Sequence, residues 1–210
     1  MPPKGRNDFW RDAFALHGSA TPFVLRDVLV FGLMAAAVCY AADWLEHHFS
    51  INLGIEVAPY EIAGAALGLL LVLRTNAGYD RWWEARKLWG GIVNQSRNVA
   101  ISGLAYGPAD PDWRERFVRW TATFSHVCRH SLRGEKPGIA VANLVGDAGA
   151  ATIAESAHMP SRVALELGRM LHSACDKMGM DRFAMIQVDK ERAQLIDHIG
   201  ACERILRTPL

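Results

Sequence analysis

The stretch from Glu61 to Ala100 reads EIAGAALGLLLVLRTNAGYDRWWEARKLWGGIVNQSRNVA. Its first part, Ile62 to Leu73, is twelve residues without a charge, and no proline interrupts the forty residues. From Arg74 onward it is dense in Arg, Asp, Glu and Trp. This pattern predicts one long helix, apolar at its start and amphipathic afterwards. Twelve helical residues rise about 18 Å, short of a bilayer core of roughly 30 Å. A lipid-facing anchor that short would be poor. A helix lining a watery pore, screened from lipid by its neighbours, has no such length requirement.

At helical spacing Ala65, Leu69 and Leu73 stack on one face. Gly64 and Gly68 make a small-residue stripe on an adjoining face, which permits close helix approach. The plainer reading of the pattern is a buried hairpin helix, and the neighbouring register Ile62, Ala66 and Leu70 is the fallback for the smooth face.

Working outward, Val28 to Ala42 is a second run without charge, fifteen residues long. It fits a buried core helix or a membrane span. Tyr40 and Trp44 at one end, where interfacial aromatics belong, favour the span. So does the charge sorting. Lys4, Arg6, Arg11 and Arg26 precede the run. Residues 43–61 hold Asp43, Glu46, Glu56 and Glu61 but no Lys or Arg. Arg74, Arg81, Arg86 and Lys87 follow the second run. The positive-inside rule then places the N-terminus in the cytoplasm and the 43–61 connection outside, with the long helix returning inward. A soluble core has no reason to sort its charges this way.

Composition agrees. Half the residues are apolar and seven are Trp, more than a small soluble domain needs. Lys plus Arg (23) nearly balance Asp plus Glu (22), so no global field points to nucleic acid. Four cysteines without CxxC spacing argue against a disulfide framework. Residues 1–22 lack the apolar run of a signal peptide; Phe9, Trp10, Ala13 and Phe14 suggest a packing helix or one lying on the membrane surface.

Gly107-Pro108-Ala109-Asp110-Pro111 is the clearest break in the chain. Beyond it, helices are expected at 112–133, from about Ser161 to Gly179, and from about Met185 to Leu206, with a loop-rich stretch at 134–149. None has an uncharged run able to span lipid. His126 and His130, at i,i+4 around Cys128, are the best metal-binding candidates, and His47-His48 is a weaker one, since adjacent helical residues diverge. Arg81–Glu84 and Glu84–Lys87 read as local i,i+3 ion pairs, and Trp82, Trp83 and Trp89 as packing anchors. No phosphate loop, nucleophile elbow or dinucleotide fingerprint occurs, so an enzyme is not expected.

The run from Leu73 to Gly90, with Arg81-Trp82-Trp83 at its centre, resembles the bestrophin family of pentameric ion channels in its bacterial branch. Gly91 to Asn98 and Cys202-Glu203-Arg204-Ile205 continue the likeness, which covers most of the chain. The resemblance implies a homopentamer in a bacterial inner membrane, passing chloride or monovalent cations, with the lipid bilayer and the permeating ions as its other partners and no cofactor. It implies that Ala65, Leu69 and Leu73 line a hydrophobic neck, with Ala65 widening it where the family often has Ile or Phe. Arg74, Thr75 and Asn76 would be polar lining just below. The family has a second constriction at the cytoplasmic exit, in a Pro-containing segment, and Leu210 is the nearest match. Two further transmembrane helices follow that segment in the family, so the sequence reads as cut short before them. The calcium clasp of animal members would also lie further on.

The expected fold is therefore all-α: an N-terminal cytoplasmic or interfacial segment (1–26), a transmembrane hairpin with a long pore-lining helix (27–106), and a cytoplasmic helical domain (107–210). The competing readings are a membrane-anchored metal-binding protein or enzyme built on His126, Cys128, His130 and His172, and a purely soluble bundle.

Overall fold

The computed structural model describes residues 21–49 and 58–208, which form six helices and no strand. The chain divides into two units, 1–66 and 67–210, with the boundary inside a helix.

The first unit holds α1 (Thr21–Phe49) and the opening turns of α2 (Ala58–Tyr106). Val24–His48 has a mean hydropathy of 1.9 with nothing in its apolar window buried. Phe31, Leu33, Val38 and Tyr40 are all more than half exposed. A helix of this composition left bare in a single chain has a non-aqueous surrounding to face.

The second unit is a conventional helical core. It comprises α2 from Leu67 onward, α3 (Pro111–Arg133), α4 (Ile139–Ala154), α5 (Met159–Met178) and α6 (Arg182–Arg207). Ile92 and Val99 of α2 meet Phe117, Phe124 and Val127 of α3, with Val163, Leu167 and Leu171 of α5 and Val188, Leu195 and Ile199 of α6 in the same buried cluster. The spacings of three, four and seven are those of single helix faces. Caps fix the ends. Asp110 accepts a hydrogen bond from the Trp113 N–H (2.6 Å) ahead of α3, and Asp181 accepts one from the Ala184 N–H (2.9 Å) ahead of α6. Gly134 ends α3 at φ 66°, the left-handed conformation that favours glycine.

Phe117 is fully buried and stacks on Trp113 with ring centroids 4.8 Å apart. Its ring edge lies where a side chain on Gly103 would begin, so the glycine is what lets α3 close on α2. Phe117→Ala is expected to destabilise this unit by about 3–5 kcal/mol. Chemical unfolding of the detergent-solubilised chain, followed by circular dichroism, measures it; a change below about 1 kcal/mol would contradict the packing described.

Two local expectations are corrected. Residues 134–149, read as loop-rich, contain most of α4 instead. α4 is rich in Ala and Val and buries Val141 and Ile153, so it has a face to pack. Its glycines mark one break, Gly146 at φ 76°, ψ 165°, rather than a loop. The second correction concerns Glu84, whose partner is not local: the Arg204 guanidinium donates to it at 2.8 Å.

Candidate pore-lining site

α2 is 49 residues long, about 73 Å of continuous helix. Its two ends live in different surroundings. Every side chain from residue 58 to 77 is exposed, while Ile92, Gln95, Val99 and Gly103 are buried. Leu69 and Leu73 are 61% and 56% exposed, and Ala65 is also exposed, one turn earlier. The fallback register is equally bare, with Ile62 at 73% and Leu70 at 60%. The single chain therefore presents an apolar cylinder with no preferred face. Arg74, Thr75 and Asn76 follow directly and are exposed, and the Thr75 hydroxyl donates to the Leu71 carbonyl (2.8 Å), folded back on its own helix.

Below this run, α6 lies antiparallel along α2. The Arg81 guanidinium donates to the Ile205 carbonyl, and Arg204 pairs with Glu84. Further down, the His198 ring sits over Gly91, 2.6 Å from where a Cβ would stand. The Gln95 amide donates to the Glu191 carbonyl at 2.8 Å and also to its carboxylate. The C-terminal end of α6 is therefore the end beside the apolar run, and its N-terminal end is remote from it. Leu210 lies outside the described residues; Thr208, two residues earlier, closes α6 by donating its N–H to the Arg204 carbonyl (3.0 Å).

The aromatic segment behaves differently from the packing anchors expected of it. Trp82 and Trp83 are 53% and 44% exposed, with centroids 6.1 Å apart. Arg86 lies over the Trp82 ring and Lys87 over the Trp83 ring, each at 5.5 Å. Only Trp89 of the three packs against the core. Lys87 is thus drawn to an aromatic face, where a pair with Glu84 was expected.

The metal-binding alternative finds no centre. His126 is exposed, whereas His130 is buried and 3.1 Å from Glu135. His172 faces Asp176 at 3.1 Å. Among the described residues no group of three His, Cys, Asp or Glu side chains is placed to hold a metal ion. Cys128 and Cys202 are both buried. Burial pushes the Cys128 thiol well above its ordinary range, with the nearby Cys202 and Glu203 acting in the same direction. Burial likewise raises Cys202, again with help from Glu203. These thiols are inert packing groups, not nucleophiles. A raised thiol keeps its proton in the folded state after the unfolded state has lost it. Its stabilising contribution is complete below the ordinary value, near 8.5, and falls by up to about 1.4 kcal/mol per pH unit above it. Denaturant midpoints between pH 8 and 10 are expected to fall accordingly, with a shallower fall for Cys128→Val; identical slopes would refute the assignment.

The structure includes a residue that the sequence reading missed. Phe183, in the first turn of α6, is 81% exposed, with Ile186 one turn on at 48%. Phe183 lies just ahead of the helix expected from about Met185, so the pattern gave it no role.

Comparison with known proteins bears on all of this. The family model for the bacterial and fungal bestrophin proteins matches residues 1–210. The chain belongs to the bestrophin family. A voltage-dependent anion channel-forming protein of Mesorhizobium japonicum is 32% identical over 98% of this chain and 65% of its own length. A protein of the same description from Ralstonia nicotianae is also 32% identical, over 96% and 66%. A crystal structure of a bacterial bestrophin homolog from Klebsiella pneumoniae superposes with a TM-score of 0.79 at 26% identity, covering 89% of this chain and 69% of that one. The chain thus spans just under two thirds of these curated relatives. Its all-helical fold, with two apolar helices that fit a membrane hairpin, is the bestrophin fold, and a membrane location follows.

Proposed function

We propose that this bestrophin is the subunit of a homopentameric channel that passes small anions across a bacterial inner membrane. The observation that carries the reading is the bare apolar run of residues 62–73, continuous with a helix whose other end is anchored in a packed core. Five such runs around an axis form stacked apolar rings. Rings of this kind gate by dewetting, because ions do not cross a dry narrow tube. Ala65, Leu69 and Leu73 face the axis, with Arg74, Thr75 and Asn76 lining the opening below. The relatives' description as anion channel-forming proteins supports an anion as cargo, and so does an exposed Arg74 at the inner end of the run. The sorted flanking charges put the N-terminus in the cytoplasm.

The antiparallel course of α6 supports a further assignment. Residues 204 and 205 sit beside Glu84 and Arg81, close below the neck, so the C-terminal end of α6 is the membrane-proximal one. Phe183 stands at the remote end and is the better candidate for an exit constriction.

The test is current through planar bilayers in asymmetric KCl. Because the relatives are longer, the chain is recorded both alone and joined to a relative's remaining C-terminal portion. A conductance reversing near the chloride equilibrium potential, and enlarged by Leu69→Ala, is expected. Silence from pure oligomeric protein in both forms, or a current indifferent to Leu69→Ala, would sink the proposal.

A further inference from the structure

Between α2, α3 and α6 lies a cavity of about 340 Å³, lined by Arg81, Ala85, Trp89, Leu132, Cys202, Ile205 and Leu206. Its wall is apolar except for the Arg81 guanidinium. Of the five N–H donors on that group, one is engaged by the Ile205 carbonyl. Leu206, 59% exposed, marks the open side, and Trp89 and Leu132 close the inner side against the core.

Water is a poor occupant for such a space. An ordered water needs two to four polar partners, and a cavity lined by carbon stays dry or takes an apolar guest. A water-sized group fills about 30 Å³, so the space holds about eleven of them, the bulk of one alkyl chain of ten to twelve carbons. The single cationic group, planar and rich in donors, matches a carboxylate. Arg81 also lies eight residues beyond Leu73, about 12 Å along α2. On the membrane reading proposed above, that is the depth of the inner headgroups, where free fatty acids present their carboxylates.

We propose that this cavity binds a free fatty acid, its chain between Trp89, Leu132 and Leu206 and its carboxylate on Arg81. A guest there would bridge α2 and α6 beside the Arg204–Glu84 pair, so the lipid would brace the pore helix against the cytoplasmic core.

The experiment uses the purified chain in lipid nanodiscs, with terminally brominated fatty acids from six to fourteen carbons as probes and tryptophan fluorescence as readout. Bromine quenches on contact, so a chain in the cavity darkens Trp89. Saturable quenching is expected, tightening about fourfold per added methylene and levelling off once the chain outgrows the cavity. Trp89→Phe should remove the saturable part. Ala85→Leu, which fills the space with a good helix former, should weaken binding at least tenfold. Arg81→Gln should erase the preference for a carboxylate over the alcohol of equal length. Quenching that never saturates, or that saturates identically in Trp89→Phe and Ala85→Leu, means simple partition into lipid and overturns the proposal. None of these readouts depends on current, so failure of the channel reading and failure of this site are separable.

Discussion

Leu69→Glu is expected to reverse the charge preference of the pore. In asymmetric KCl the reversal potential should move from near the chloride value toward the potassium value, with a permeability ratio changed at least tenfold. A carboxylate about 5 Å from the axis attracts a cation by about 0.8 kcal/mol even at the dielectric constant of bulk water. Five in a ring would contribute about 4 kcal/mol if all were ionised. They will not all be, because like charges crowded together raise one another's pKa values. Two ionised groups already exceed the 1.4 kcal/mol that a tenfold change requires. The same repulsion predicts that the preference fades as the solution is acidified, well before an isolated glutamate would be protonated.

Leu70→Glu is the necessary companion. Position 70 is rotated about 100° from position 69 on the same helix. If Leu69 faces the axis, a carboxylate at 70 meets a neighbouring helix or lipid, which impairs assembly without altering selectivity. Reversal of preference by Leu70→Glu, with Leu69→Glu inert, would move the neck to Ile62, Ala66 and Leu70. The chain alone does not choose between these registers, since side chains around the whole circumference are bare from 58 to 77. An apolar helix without a polar face carries no orientation signal in its periodicity.

That limit explains which parts of the molecule were legible in the sequence. The two apolar runs, the sharp change at Arg74 and the break at Gly107-Pro108 are local signals, and they correspond to α1, to the two surroundings of α2 and to the turn into α3. The α4 helix was obscured because Gly138, Gly146 and Gly149 lie close together. Only Gly146 interrupts the helix, and Gly149 is fitted against Val145 and Trp120. Partner choice was the least legible. Helical spacing offered Glu84 two neighbours, Arg81 and Lys87, yet Arg81 turns to Ile205, Lys87 to Trp83, and Glu84 to Arg204, 120 residues away. Those choices are set by how α6 lies on α2. The contact of His198 with Gly91 was invisible for the same reason. The place of Phe183 was hidden in the same way: only the direction of α6 sets it at the end remote from the apolar run.

Phe183→Ala tests that last point and is the second large effect expected. Phe183 is among the most exposed large apolar side chains described, at 81%, and its helix lies near the apolar run only at its other end. If five such rings narrow the exit, truncating them widens it and shortens the dehydrated path. Single-channel conductance should then rise at least about twofold, a barrier change of only ~0.4 kcal/mol. Large anions should gain more than chloride, because a steric limit discriminates by size. Phe183 contributes little to the core, so the variant should keep the unfolding midpoint of the parent. Leu210→Ala is the internal comparison and should leave conductance and size selectivity unchanged. If Leu210→Ala opens the pore while Phe183→Ala does not, the narrow exit lies at the membrane end of α6. Phe183 and Ile186 would then be a contact patch between subunits rather than a lining.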